Sequence, residues 1–357
     1  MSHRDRPSRL GHATSTEESR SRGPTIHNTP PLPVVNFGAV GKTAPGLPAN
    51  PETLPRADVV VFCWEEAEWA PLQHVFVSGN QTMPYGQSGS STWPGWQKFA
   101  DGSPASVGFW GYYRLVTVGL LSVLLFKSNV HLDQGPKAGT SYLEQMISLL
   151  IDRVAPTLVL STGTAGGTRN TDPIGTVNIV SAGTLYGPGA PTTWPTYTSA
   201  WKPSWTIPGD PRFQSMLLPI PTTSADLSSL VSQFNANEGT SYTILQLNPG
   251  NLNMGAPVPA INNLTPEVSL LTTTTFVVGE TNENFAAYSC IEMDDAVIGK
   301  VCSASNVPFG FVRNLSDPAQ NGALPSKIQG AWGSFVYEAY RFYTSYAGAL
   351  AVWAVLA

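Results

Sequence analysis

The stretch CIEMDDAVIGKVCSASNVPFGFVRNLSD, Cys290 to Asp317, reads as a helix, a turn and a strand with acids at both ends. From Met293 onward, Val297, Ile298, Val301 and Cys302 recur at helical spacing. Glu292, Asp294 and Asp295 crowd the beginning, where the helix dipole favours negative charge. The spacing predicts a helix starting near Met293. Asn306 and Pro308 break it, and Phe309, Phe311 and Val312 form an apolar run too short for a helix. That run is a predicted buried strand, with Ser316 and Asp317 at its far end. In open α/β sheets ligands collect beyond the carboxyl ends of strands, which makes Asp317 a candidate functional residue.

Working outward, Ala57 to Cys63 (ADVVVFC) is a continuous apolar run typical of a strand buried on both faces. It places the start of the folded domain at residue 57. Trp64 to Trp69 (WEEAEW) follows as an acidic loop or helix start. Residues 77 to 111 are rich in Gly, Ser and Pro yet contain Trp93 and Trp96, the mark of an ordered long loop. Arg114 to Phe126 supplies one or two strands. Ser141 and Glu144 form a capping box opening a helix whose Leu143, Met146, Ile147, Leu150 and Val154 share one face. Thr157 to Leu160 is then a strand, with Ser161 to Gly167 as a glycine loop at its carboxyl end. A segment at about 187–271, rich in Pro, Thr and Trp, reads as an insert. Only Leu227, Leu230, Val231 and Phe234 suggest a helix within it. Thr272 to Val278 returns as a strand, and Trp332, Phe335, Val336, Ala339, Tyr340 and Tyr343 mark a closing helix. The fold class is α/β: a three-layer α/β/α sandwich on a mixed, largely parallel twisted sheet.

A chain of 357 residues with 12% charged residues and net charge −5 suits one enlarged domain and offers no basic face for nucleic acid. Cys63, Cys290 and Cys302 lie in apolar contexts without metal-type spacing, as in a reducing cytoplasm. Only His74 and His131 lie outside the N-terminal tail, which weighs against Ser-His-Asp catalysis and histidine-rich metal sites. No apolar segment reaches the length of about 20 residues that a membrane span needs, so a soluble protein is expected. Residues 1–56 read as a disordered or extended tail, of which Met1 to about Ala49 is expected to be dispensable.

Three motifs in order carry a resemblance: Glu292-Met293-Asp294 at a helix start, Ser316-Asp317 at a strand end, and Thr162-Gly-Thr-Ala-Gly-Gly167 followed by Gly175 to Val180. Together they resemble the purine nucleoside phosphorylase and methylthioadenosine/S-adenosylhomocysteine nucleosidase superfamily, over roughly residues 57 to 357. The second acid of that family's Glu-Met-Glu motif is shortened here to Asp294. The resemblance implies a nucleoside-binding enzyme without metal or cofactor, commonly a homo-oligomer. It implies that Asp317 protonates the leaving purine base at N7. Asp294, with Glu292 as the other candidate, would hold the ribose hydroxyls, and Glu68 would position the attacking water. Thr164, Ala165, Gly166, Met293 and Ser316 would line the substrate, and Phe285 would either stack on the base or belong to the core. Other readings stay open: Asp317 as a turn residue before Pro318, Asp294 as a helix cap, Glu68 as a solvated helix start.

Phosphorylases of this family place an arginine two residues before the first glycine of the loop, where this chain has Ser161. The loop after the first strand carries Glu65, Glu66 and Glu68, which repel a phosphate dianion. The resemblance therefore points to hydrolysis of a purine-type nucleoside. The alternatives are a phosphate-dependent phosphorylase and a non-catalytic nucleoside-binding or storage member.

Overall fold

The computed structural model describes residues 32–78, 95–132, 142–169, 172–187, 190–218, 224–247, 260–274, 283–319 and 324–357. The longer helices are α1 (Glu66–Gln73), α2 (Tyr142–Val154), α3 (Ser224–Glu238), α4 (Asp295–Ala304) and α5 (Ser326–Leu356). The strands are β1 (Val59–Cys63), β2 (Gln97–Phe99), β3 (Gly111–Val118), β4 (Leu121–Ser128), β5 (Leu158–Gly167) and β6 (Val177–Val180). They continue with β7 (Ala182–Leu185), β8 (Thr196–Thr198), β9 (Ile261–Asn263), β10 (Leu270–Thr272), β11 (Ile291–Glu292) and β12 (Phe309–Pro318).

Among the described residues, twelve strands join in one sheet, with β1 between β4 and β5 and both neighbours parallel to it. The sheet branches at β5, which pairs along its length with parallel β12 and meets β11 at Gly166. β12 passes on to antiparallel β6, and the β2–β3–β4 edge is antiparallel too, so the sheet is mixed.

Successive side chains of a strand face opposite ways, and β1 shows what each face meets. Val59, Val61 and Cys63 join a core with Trp69, Ala70 and Leu72 of α1 and Leu350, Val352 and Trp353 of α5. Val60 and Phe62 join a second core with Leu143, Met146, Ile147, Leu150 and Val154 of α2 and Val297, Ile298, Val301 and Cys302 of α4. Helices thus cover both faces, the three-layer arrangement expected. Both predicted helical stripes are buried, each large aliphatic side chain contributing about 1.5–3 kcal/mol.

Several boundaries move. The chain enters the core before residue 57: Leu32, Val35, Phe37 and Val40 are buried, and Phe37 lies edge-on to Trp353 at 4.7 Å. Their scattered spacing follows the groove beside α5 and leaves no periodic trace. Residues 1–31 lie outside the described residues, as do 79–94 with Trp93, Ser141 of the capping box, and 275–278 of the expected strand 272–278. The glycine run is no loop: β5 continues through Gly167 because β12 pairs with it from Val159 to Gly167. β12 likewise runs through Arg313, Asn314, Ser316 and Asp317, all buried, rather than ending with its apolar residues. α4 begins at Asp295, two residues after Met293. The 187–271 insert is built into the fold: it contributes β8, β9 and β10, and its Trp201 ring occupies the space a Cβ on Gly310 would take.

Candidate active site

The carboxyl ends of β1, β5 and β12, the β11–α4 turn and the segment after β4 converge on a cluster of buried acids. Asp317 is fully buried near the carboxyl end of β12, opposite Gly166. A bulge between Leu315 and Asp317 shifts the pairing there. The Ser316 hydroxyl donates to Asp317 Oδ1 at 2.7 Å, and Oδ2 has no hydrogen-bond partner among the described residues. Burial pushes the Asp317 carboxyl up to about 7, against the smaller opposing effect of Ser316. A turn role is thereby replaced by a strand position with an acid that exchanges its proton near neutrality.

Glu68 lies in the first turn of α1 and is buried. Its Oε2 accepts the amide hydrogens of Trp64 (2.8 Å) and Glu65 (3.0 Å), and its Oε1 accepts the amide (2.8 Å) and hydroxyl (2.9 Å) of Thr164. An ionised carboxylate has about four acceptor positions, and all are occupied. Glu68 is neither a solvated helix start nor free to hold a water alone. Gly163 is required by this contact for space, since a Cβ there would overlap Glu68 Oε1 and lie 2.5 Å from Arg313 Nη1.

At the β11–α4 turn, Glu292 Oε2 accepts the amide hydrogens of Asp294 (2.6 Å) and Asp295 (3.0 Å), and Oε1 accepts the Thr272 hydroxyl. Glu292 therefore does the capping, and Asp294 makes no side-chain cap. The Asp294 carboxylate instead reaches across to the segment after β4, where Oδ1 accepts the Leu132 amide (3.0 Å) and Oδ2 lies 3.2 Å from His131 Nδ1. Asp295 and Arg313, both buried, form a two-point pair: Nε donates to Oδ2 at 2.7 Å and Nη2 to Oδ1. The guanidinium also lies 3.3 Å from Glu292 Oε2 and over the Trp64 ring, 5.1 Å from its centroid. Burial raises both Glu292 and Asp295 above the usual carboxylate range, and Arg313 works against that rise.

Of the residues the sequence nominated, Glu68, Thr164, Ala165, Gly166, Glu292, Asp294, Ser316 and Asp317 all belong to this convergence of strand ends, and Met293 lies half-buried within the same turn. Phe285 does not present a platform: it is buried among Tyr186, Trp194, Leu271 and Ile291, edge-on to Tyr186. Sequence reasoning missed Arg313 and His131. Arg313 carried one signal, a cation in the middle of an apolar strand run, which demands a buried anion. His131 carried none. Among the described residues no three His, Cys, Asp or Glu side chains form a group that could hold a metal ion. No described helix is long and apolar enough to cross a membrane.

No protein-family model and no curated protein matches the sequence. Solved structures similar to the chain include the 5′-methylthioadenosine/S-adenosylhomocysteine nucleosidase of Helicobacter pylori, in a complex with butyl-thio-DADMe-Immucillin-A. It is 11% identical at a TM-score of 0.47, covering 82% of this chain and 95% of that one. The S-adenosylhomocysteine nucleosidase of Streptococcus pyogenes, with 5-methylthiotubericidin, is 15% identical at a TM-score of 0.48, covering 84% and 96%. The futalosine hydrolase of Helicobacter pylori is 11% identical at a TM-score of 0.44, covering 84% and 98%.

Proposed function

We propose that the protein is a nucleosidase that hydrolyses the N-glycosidic bond of a purine-type nucleoside to free base and a ribose-type sugar. The observation that carries this reading is Asp317: a buried carboxyl, raised to about 7, at the carboxyl end of a central strand, with Oδ2 unengaged among the described residues. A leaving purine anion needs a proton as it departs, and a carboxyl protonated near neutrality supplies it. Asp294 furnishes the negative charge that offsets an oxocarbenium-like sugar and accepts the sugar hydroxyls, while Glu292 fixes the turn that carries it. Glu68 acts on the attacking water through Thr164. The Thr164 hydroxyl gives its hydrogen to Glu68, which leaves its own oxygen lone pairs to accept from a water.

Hydrolysis is favoured over phosphorolysis by the state of Arg313. A phosphate dianion needs a forked cationic donor, and this guanidinium already serves Asp295 and Glu292. The test is incubation of the purified protein with a panel of purine and pyrimidine nucleosides, with and without phosphate, followed by chromatography of bases and sugars. Free base and free sugar at a phosphate-independent rate are expected. Strict phosphate dependence with a sugar 1-phosphate product overturns hydrolysis, and binding without turnover across the panel overturns catalysis.

A further inference from the structure

Asp294 is held from outside its own helix. Glu292 takes the amide hydrogens at the start of α4, and the Asp294 side chain crosses to residues 131 and 132, over 160 positions away in the chain. His131 is buried and stands between two carboxylates: Nδ1 is 3.2 Å from Asp294 Oδ2 and Nε2 is 3.7 Å from Glu65 Oε1. Burial works against a charged imidazole, but the charge and hydrogen bond of Asp294, together with the charge of Glu65, outweigh it. With Lys127 opposing from β4, the result is a pKa of about 9. His131 is therefore an imidazolium at neutral pH, donating to Asp294.

We infer that His131 is a positioning residue for the sugar subsite, gripping Asp294 so that its carboxylate is presented to vicinal sugar hydroxyls and the site prefers ribonucleosides over 2′-deoxyribonucleosides. The inference rests on the nucleosidase reading. Its physical basis is reach and freedom. An aspartate is one methylene shorter than a glutamate and sits at the N-cap, where a carboxylate ordinarily folds back onto its own helix amides. The His131 and Leu132 donors draw it outward at one lone pair on each oxygen, and a carboxylate oxygen accepts two hydrogen bonds. The remaining pair of acceptor positions forms a fork, suited to two adjacent hydroxyls and poorly matched to a sugar with one. The imidazolium also keeps Asp294 from standing as an uncompensated charge beside Glu65 and Glu292.

The experiment compares wild type, His131→Ala and His131→Asn on adenosine and 2′-deoxyadenosine, with kcat and KM for base release and calorimetric binding of the same two nucleosides. The amide nitrogen of asparagine occupies nearly the place of Nδ1, so it retains part of the grip. His131→Ala is expected to lower kcat/KM for adenosine about 10- to 100-fold, the effect of losing a hydrogen bond to a charged group. The value for 2′-deoxyadenosine should stay within about 3-fold, and His131→Asn should fall between. Equal losses on both nucleosides, or an unchanged ratio, overturn the inference and leave the nucleosidase reading standing. No base release by wild type, with a binding ratio that still collapses in His131→Ala, overturns hydrolysis and upholds the grip. Neither release nor binding overturns both. A separate proton NMR titration is expected to show the resonance missing in His131→Ala titrating near 9 in wild type and lower in Asp294→Asn. An unmoved titration overturns the pairing.

Discussion

The amide and the hydroxyl of Thr164 both donate to Oε1 of Glu68, at 2.8 and 2.9 Å, and so fasten the first turn of α1 to the strand that carries the glycine run. The other carboxylate oxygen takes the amides of Trp64 and Glu65. Glu68→Gln necessarily points an NH2 group at N–H donors on one side. A buried unsatisfied donor costs about 1–3 kcal/mol, and urea unfolding should show a loss of that size with base release reduced in parallel. Unchanged stability would mean that the carboxylate is not held as described.

Gly163 tests the same contact from the other strand. Any Cβ there meets the Glu68 carboxylate and the Arg313 guanidinium. Neither can retreat, because each is buried and bonded on its far side. Gly163→Ala is expected to cost about 1–3 kcal/mol, as overpacking does in a dense interior, and to abolish base release. Thermal unfolding and the nucleoside assay together check this, and full activity would contradict it.

Asp317→Asn removes the proton donor while keeping the shape, so base release should fall about 10²- to 10⁴-fold. Its stability should move the opposite way. The folded pKa of about 7 exceeds the ordinary 3.8, so the folded state holds the proton more tightly. Wild-type stability from this group is therefore present at low pH and lost as pH rises from about 4 to 7. At pH 8 the asparagine variant should be the more stable protein, by on the order of 1 kcal/mol or more, with little difference at pH 4. Denaturant titrations at the two pH values decide it.

The same proton sets the rate profile. Base release should hold up to about pH 7 and decline about tenfold per unit above it as Asp317 ionises. His131, raised to about 9, contributes stability that is full below its unfolded value and fades as pH approaches 9. A rate that rises above pH 7 would assign the acid elsewhere.

Residues 32–40 should matter to folding. Phe37 is buried against Trp353, and the His74 Nε2 hydrogen bond to the Pro33 carbonyl (2.8 Å) holds the same segment. Phe37→Ala is expected to cost about 3–5 kcal/mol by chemical denaturation. Deletion of residues 1–40 should destabilise far more than deletion of 1–31.

Much of the framework follows from local pattern. The unbroken apolar run of β1 and the period of α2 and α4 encode which faces are buried, because a face is a property of consecutive residues. That also placed Glu292, Asp294 and Asp317 at element ends, where backbone groups and dipoles favour acids. Tertiary structure alone decided which acids remain available. Glu68 is saturated by Thr164 from β5 and by the Trp64 and Glu65 amides, Glu292 takes the capping role that stood as an alternative for Asp294, and Asp294 answers to His131. Arg313 can sit inside β12 only because Glu292 of β11 and Asp295 of α4 arrive to compensate it. The run from Ser161 to Gly167 is a strand because β12 lies alongside its whole length. Charge compensation and strand pairing join residues far apart in the chain, so they depend on distances that no window of sequence contains.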